Sequence, residues 1–525
     1  MWHDEIVRWR RAQTTILAAL TFCLLGAGIW HAAATNSARA PRAPGRTTAP
    51  ARADPPDSST VYASIGGAPT GVARPTGFLG LSLEYSALEA YTGADPALDR
   101  VFVQLVRNLA PGPGQPVPLR IGGNSTDATW WPIKGLHRPP GIRYGLTRTW
   151  LGAVRALAAA VPAQLIVGLN LAAGNPRVAA AEAHAFLNRI GPSRVTAFEV
   201  GNEPDVYGVF PWYRSRRRPV FARSPRYNLP EFIGQLKRWQ AGLPDLPLAG
   251  PALAELPWLS GLPTLIASDP RLRVVTIHRY ALQGCLNHPG SPSYPSIANL
   301  LSDRSSQGLA AAIAPFVSAA HAHGVQFRVD ELNSAALAGC LGRTGVSNTF
   351  ASGLWIVDTL FNLASVGVDG VNVHSLPGAG YELFTFRRTP TGWQAFVHPD
   401  YYGMLMFAEA FPAGARLVPV RAPAGPVKVW ATLGLDGHTR VTLINKDSRA
   451  RRVHLQLPPS GAAAELQWLR APGASATSGV TLGGQSFGAE TGTGVLGAEH
   501  GQPVAGRLGT YSIELPPASA ALLTR

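Results

Sequence analysis

Cysteine is nearly absent. The chain has three, at positions 23, 285 and 340, too few for a disulfide-dense scaffold or for a cysteine-based zinc or iron–sulfur site. Acidic residues are also under-represented, 31 against 46 Lys and Arg, which gives a formal charge of +15. That balance excludes the acidic disordered class. Lysine is scarce, so the excess is mostly arginine in an Ala/Gly/Pro-rich chain. GC-rich coding produces the same bias, and the global charge alone therefore names no partner. No helix-turn-helix, zinc-ligand set or aromatic single-strand platform supports nucleic acid. No G-x-G-x-x-G follows the first apolar run, which removes the usual mark of an open dinucleotide-binding sheet. A long apolar run occurs once, from Thr15 to Trp30, behind Arg8, Arg10 and Arg11 and ahead of Ala32, Ala33 and Ala34. It reads as an export leader, and its length of about 16 residues suits both a cleaved signal and a retained anchor. Residues 1–35 are therefore assigned to a signal peptide or signal anchor, and the rest to an extracytoplasmic location, secreted or tethered.

What remains is a well-packed chain. Hydrophobic residues make up 46% and charged residues 15% of 525, which supports a large domain with a smaller companion. Residues 36–59 are rich in Ala, Pro, Arg, Thr and Ser without apolar periodicity, the composition of an extended linker. Short apolar runs then alternate with helical patterns. The predicted strands are Phe78 to Tyr85, Val117 to Gly122, Gln164 to Leu171, Val195 to Val200, Pro247 to Ala252, Val274 to His278, Phe327 to Asp330 and Gly370 to His374. Predicted helices between them include Leu98 to Leu109, Thr149 to Ala160, Val178 to Ile190, Phe232 to Leu243, Leu309 to His323 and Phe350 to Leu363. This is an α/β chain with the repeat of a (β/α)8 TIM barrel, placed at residues 77–411. Past Phe411, alternating segments such as Val427 to Leu433 and Arg440 to Ile444 mark an all-β sandwich over residues 412–525. Thr60 to Ile65 reads as a strand too, and residues 60–76 are assigned to that sandwich as its N-terminal strand.

Two glutamates stand where the chemistry of such a barrel is found. The fourth strand ends Val200-Gly201-Asn202-Glu203-Pro204, and the seventh ends Val329-Asp330-Glu331-Leu332-Asn333. Tips of different strands converge on one face of the barrel. Cleaving a glycosidic bond needs one carboxyl to protonate the leaving oxygen and a second, ionised, to attack or to activate water. Charge on one member of the pair keeps the proton on the other until the first is consumed.

With these two motifs the chain resembles clan A glycoside hydrolases, and within them family 79, the β-glucuronidase and heparanase family. The resemblance runs from about Thr60 to the C-terminus. It is carried further by Leu119-Arg120-Ile121-Gly122-Gly123-Asn124-Ser125-Thr126-Asp127, by Glu84 at the first strand tip, by His278-Arg279-Tyr280 at the sixth and by Gly378-Ala379-Gly380-Tyr381 past the eighth. It implies a retaining glycosidase acting on β-glucuronides or glucuronic-acid-containing glycans through a covalent intermediate. Glu203 is then the acid/base and Glu331 the nucleophile. Glu84, Asn124 and Asn202 are implied to contact sugar hydroxyls, Tyr280 to support the nucleophile, and Gly380 and Tyr381 to bind the uronate carboxylate. No metal or cofactor is implied.

One departure stands out. The family's uronate-binding tyrosine five residues past the nucleophile is here Ala336, so a neutral glycoside remains an alternative substrate. A non-catalytic carbohydrate-binding protein on the same fold is the alternative from another class, since a fold does not fix function. Cys285 and Cys340 fall in neighbouring loops of the active face, where a disulfide between them is expected. Tyr213-Arg214-Ser215-Arg216-Arg217-Arg218, with Arg223 and Arg226, lies above the barrel mouth and reads either as a contact for acidic sugars or as a solvated basic face.

Overall fold

Thr60–Ile65 (β1) stands apart from the barrel that follows it. It pairs in parallel with Arg451–Gln456 and antiparallel with Val420–Arg421, inside a four-stranded sheet of the C-terminal sandwich. Its inward residues Ala63 and Ile65 pack with Val453, Leu455 and Ile513, so alternation along six residues is enough to place it. The computed structural model describes residues 59–525 except 72, 94–97, 113, 337–344, 460–462 and 499. The leader and almost all of the linker lie outside the described residues. Among the described residues, no helix is long and apolar enough to cross a membrane.

Eight parallel strands close the barrel: Leu79–Glu84 (β2), Val117–Gly122 (β3), Ala163–Leu169 (β4), Val195–Val200 (β5), Leu248–Leu253 (β6), Leu272–Gln283 (β7), Gln326–Ala336 (β8) and Gly370–Ser375 (β9), with β9 pairing back to β2. Strands covered on both faces read as continuous apolar runs rather than alternating ones. β2, β3, β6 and β9 are buried along their whole lengths.

The outer helices are Arg100–Arg107 (α1), Arg148–Ala160 (α2), Pro176–Ile190 (α3), Leu229–Gln240 (α4), Leu262–Ser268 (α5), Ala314–Ala322 (α6), Phe350–Ser365 (α7) and Pro399–Ala410 (α8). Their starts follow from local chemistry. The side chains of Asp99, Thr147, Asn175 and Asn228 accept from backbone N–H groups of the first turn, which would otherwise lack partners. The helix predicted from Leu309 to His323 is two pieces, Gln307–Ala311 and α6. Pro315 has no N–H to give and its ring crowds the carbonyl of Ala311, which separates them.

The sandwich packs on the barrel through α7, buried over nearly its whole length. Trp430 of the sandwich stacks on Phe361 with ring centroids 5.4 Å apart and donates through Nε1 to Asp358 at 2.9 Å. The Asp358 carboxylate, also bonded to Lys446 Nζ at 2.5 Å, is matched on both sides of the junction. Both ends of the described chain therefore meet in the sandwich packed on α7.

β7 and β8 run past the rim to Gln283 and Ala336, beyond the predicted ends at His278 and Asp330. Above the barrel they pair Tyr280 with Asn333 and Leu282 with Ala335. The polar residues that read as a strand tip are thus a two-stranded ribbon lining the mouth. The register shifts between the Ile277–Val329 and His278–Glu331 pairs, leaving Asp330 as an extra residue on β8. Such a bulge re-aims the side chains next to it. Here Asp330 and Glu331, successive residues of a strand, both face Arg120.

Candidate active site

Glu203 is held by its backbone. Its φ of 52° lies in the left-handed region, uncommon for a residue with a side chain. Its N–H donates to the Ala252 carbonyl of β6 at 2.9 Å, fixing the turn that follows β5. Gly201, at φ 86°, lets the chain into this turn, and a Cβ there would come within 2.7 Å of the Tyr207 hydroxyl. The Glu203 side chain is 23% exposed toward the mouth. Opposite it, Glu331 is only 9% exposed. One carboxylate oxygen of each, with a ring nitrogen of His278, lies within a mutual 4.8 Å.

Every oxygen of Glu331 is supplied with a donor. Tyr280 donates its hydroxyl to Oε1 at 2.5 Å, and Arg120 donates Nη1 to Oε2 at 2.8 Å. Arg120 is fully buried and is the hub of the floor. Its Nε donates to Glu199 at 2.8 Å and lies 3.1 Å from Asp330, while its Nη2 donates to the Asn202 amide oxygen at 2.9 Å. Burial works against the charge on Glu331, but His278, Arg120 and the Tyr280 bond outweigh it and hold the carboxyl well below the ordinary range. His374, 3.8 Å away, adds to this only when it is itself charged, and burial pushes its pKa down. Asp330 is pushed the other way, by burial and then by the charge of Glu199.

His278 Nδ1 stands 2.8 Å from Glu203 Oε1 and 3.6 Å from Glu331 Oε2, between the two carboxyls. Burial opposes its charge, yet Glu331 first, then the bond to Glu203 and the nearby Asp330, hold the imidazole up to about 9. His278 therefore carries a proton at neutral pH and can donate Nδ1–H to Glu203. Glu203, His278 and Glu331 have the spacing of a metal-ligand set. Their donor chemistry fits one poorly, because protonated Nδ1 offers no lone pair and both oxygens of Glu331 already accept from Tyr280 and Arg120.

The remaining expected contacts divide. The Asn202 amide is buried beside Glu203 and its Nδ2 donates to the Asn124 amide oxygen at 3.3 Å, which brings the two asparagines together at the mouth. Asn124 itself is exposed. Tyr381 is buried, with its ring 6.0 Å from Tyr280 and 5.9 Å from His374. Two of the expected contacts already have partners within the protein. Glu84 does not present its carboxylate freely to a sugar: Oε1 accepts from Asn124 N at 3.0 Å, and Oε2 accepts from Ser125 N at 2.7 Å and from the Ser125 hydroxyl. It holds the loop after β3, which approaches so closely that a Cβ at Gly123 would lie 2.5 Å from that carboxylate. Gly380 N–H is not a free donor either, because it donates to Glu382 Oε2 at 2.7 Å. Cys285 is disulfide-bonded, while Cys340, the expected partner, lies outside the described residues.

Residues 429–522 match the glycosyl hydrolase family 79 C-terminal beta domain. A β-glucuronidase of Aspergillus niger is 24% identical over 512 residues, an alignment spanning 85% of this chain and 90% of that one. A β-glucuronidase of Neurospora crassa is 23% identical over 391 residues, 66% of this chain and 65% of that one. The chain is thus similar to family 79 in its C-terminal domain, and to β-glucuronidases at low identity along most of its length. Its fold is shared with solved glycosidase structures of low identity. A 4-O-α-L-rhamnosyl-β-D-glucuronidase from Fusarium oxysporum 12S superposes with a TM-score of 0.65 at 18% identity, over 88% of this chain and 100% of that one.

Sequence reasoning did not single out His278, Glu199, Asp330 or His374 as site residues. His278 and Asp330 sit inside the quoted motifs, but only barrel closure shows that strands four, six, seven and eight aim these four residues at one point.

Proposed function

We propose that this chain is a retaining β-glycosidase hydrolysing β-glucuronides or glucuronic-acid-containing glycans, with Glu331 as nucleophile and Glu203 as acid/base. The observation that carries the reading is the approach of the two carboxylates to within 4.8 Å. That leaves no room for the attacking water of an inverting enzyme, whose carboxyls stand about 6.5–9.5 Å apart, and agrees with the roughly 5–5.5 Å of retaining ones. Glu331, ionised between Arg120 and Tyr280, attacks the anomeric carbon while Glu203 gives its proton to the leaving oxygen. Ester formation then removes the Glu331 charge, and Glu203, now a carboxylate, takes a proton from water as it attacks the glycosyl ester. Asn202, oriented by Arg120, is placed to donate to the sugar 2-hydroxyl, a contact that strengthens in the oxocarbenium-like transition state. No step calls for a cofactor.

The uronate assignment draws on the named relatives and on Tyr381. A neutral glycoside is the second reading, favoured by Ala336 and by the carboxylate of Glu382 on Gly380 N–H. A panel of chromogenic β-glycosides assayed on the full chain separates the two. Export through the N-terminal apolar run places the catalytic part outside the cytoplasm in this reading, with cleavage or anchoring decided in residues 1–35.

The His278 imidazolium beside Glu203 gives a pH signature. The His278 imidazolium is present below about 9 and lost as pH rises through that value, so kcat/KM falls on the alkaline side. Glu331 stays ionised far into acid and contributes no loss near neutrality. The pH profile of His278→Asn should show its alkaline limb moved by one unit or more, and an unmoved limb would remove His278 from the proton path.

A further inference from the structure

We propose that Asp127 is a positioning residue that aims the Glu203 carboxyl at the leaving oxygen, by bracketing the turn that carries it with a single carboxylate oxygen. The proposal rests on the reading of Glu203 as acid/base and names what holds that residue in line.

Glu203 needs such support. A residue with a side chain at φ 52° gains nothing from its local backbone and keeps that shape only where its surroundings over-determine it. On one side its N–H is held by the Ala252 carbonyl. The other support is Asp127, in the short turn Thr126–Ala128 after β3 and 5% exposed. Its Oδ2 accepts from Asn202 N at 3.0 Å and from the Tyr207 hydroxyl. Those donors belong to the residue before Glu203 and to the residue four after it, so one oxygen closes the turn around the acid/base.

Asp127 can act as a strut because it is itself fixed. Its Oδ1 accepts from the N–H groups of Leu171 and Ala172, both at 2.9 Å, in the loop after β4. Its backbone carbonyl accepts from Asn170 Nδ2 at 3.0 Å and from Trp212 Nε1 at 2.8 Å. Arg223 closes the arrangement from the far side of Tyr207. Its guanidinium lies over that ring, 5.6 Å from the centroid, and donates to the carbonyls of Leu171 and Ala172 at 2.8 and 3.2 Å. The four donors to Asp127 fill the lone pairs of a carboxylate, offsetting part of the burial that pushes its pKa up.

Asp127→Asn isolates the effect, because it keeps the shape of the side chain. The amide keeps its oxygen toward Leu171 and Ala172, where two fixed N–H groups need an acceptor. Its NH2 then faces the other pair. The Tyr207 hydroxyl can turn to accept, but the Asn202 N–H cannot, and two donors meet where a bond had been. The turn shifts on that side, while the Asn202 side chain keeps its own bonds to Arg120 and Asn124. Misplacing a catalytic group by about 1 Å costs on the order of 10²-fold, and here the cost falls on proton transfer to the leaving oxygen.

The test measures kcat/KM of the full-length wild type, D127N, E203Q and the double variant on a dinitrophenyl and an alkyl β-glucuronide. D127N should lose roughly ten- to a hundred-fold on the alkyl substrate and only about three-fold or less on the dinitrophenyl one. The ratio of the two does not depend on how much of the protein is folded, so a merely structural role leaves it unchanged. In the E203Q background D127N should cost nothing further, because the group it aims is gone. Tyr207→Phe removes one of the two donors at Oδ2 and should move the ratio the same way by a smaller factor; it decides the matter if D127N does not fold. An unchanged ratio, or equal losses with and without Glu203, would overturn the proposal. If E203Q itself shows no dependence on the leaving group, the acid/base reading fails and the proposal with it, whereas dependence in E203Q but not in D127N overturns the proposal alone.

Discussion

Glu331→Gln should abolish turnover of every glycoside, whereas Glu203→Gln should spare those with good leaving groups. The first substitution leaves no nucleophile, and it puts a neutral amide where Arg120, Tyr280 and His278 are arranged around negative charge. A loss of roughly 10⁴-fold or more in kcat is expected, on the scale seen when a nucleophile is removed from a preorganised site. Glu203→Gln removes a proton transfer, which contributes about 10²–10⁴-fold when the leaving oxygen needs protonation and little when it leaves readily as an anion. Dinitrophenyl and alkyl glycosides of one sugar therefore give opposite answers in this mutant and the same answer in Glu331→Gln. Steady-state rates on the two substrates check the contrast. Wild-type rates in both mutants would move the catalysis to other residues, and no turnover of any glycoside by the wild-type chain would leave a carbohydrate-binding protein on a glycosidase fold.

β-Glucuronides should be cleaved roughly ten- to a thousand-fold faster than the matching β-glucosides, measured as kcat/KM. A site built with donors for a carboxylate leaves them unpaired when that group becomes a hydroxymethyl, and such rejection reaches about 10⁴-fold in favourable sites. Two features reduce it here. Ala336 has no hydroxyl to offer, a deficit of about 1.5–3 kcal/mol for one bond to a charged group. The Gly380 N–H is already occupied by Glu382, whose carboxylate must turn away before a uronate can take its place. Tyr381→Phe should cut the glucuronide rate more than the glucoside rate and narrow the gap. Glu382→Gln should widen it, because an amide is displaced by a carboxylate without repulsion. Equal or faster cleavage of the glucoside by the wild-type chain would favour the neutral-sugar reading and leave the two-carboxylate mechanism standing.

The barrel was legible because its strands are nearly uninterrupted apolar runs separated by capped helices, and β3 and β5 have the bounds read from sequence. The two glutamates were legible for a related reason: each stands in a polar stretch at the end of such a run. What sequence did not reveal is what barrel closure creates. Arg120 was visible as part of a motif, but its bonds to Glu199, Asn202 and Glu331 join β3 to residues 79, 82 and 211 positions away. The bulge at Asp330 and the ribbon above it could not be read from a pattern of alternation, since a single extra residue reverses which face each side chain takes. The hydrogen bonds of Glu84 and Gly380 were not legible either. Each is bonded to a near neighbour of the site rather than left open to substrate, and that choice depends on side-chain geometry at the scale of single bonds.

The central claim is that Glu331 forms a covalent bond to the anomeric carbon and Glu203 stands too near it for direct attack by water. Proton NMR of the first sugar released from an aryl β-glucuronide, recorded before mutarotation, tests it most directly. The account predicts that the β-anomer appears first and the α-anomer grows in only by mutarotation; initial appearance of the α-anomer would contradict it.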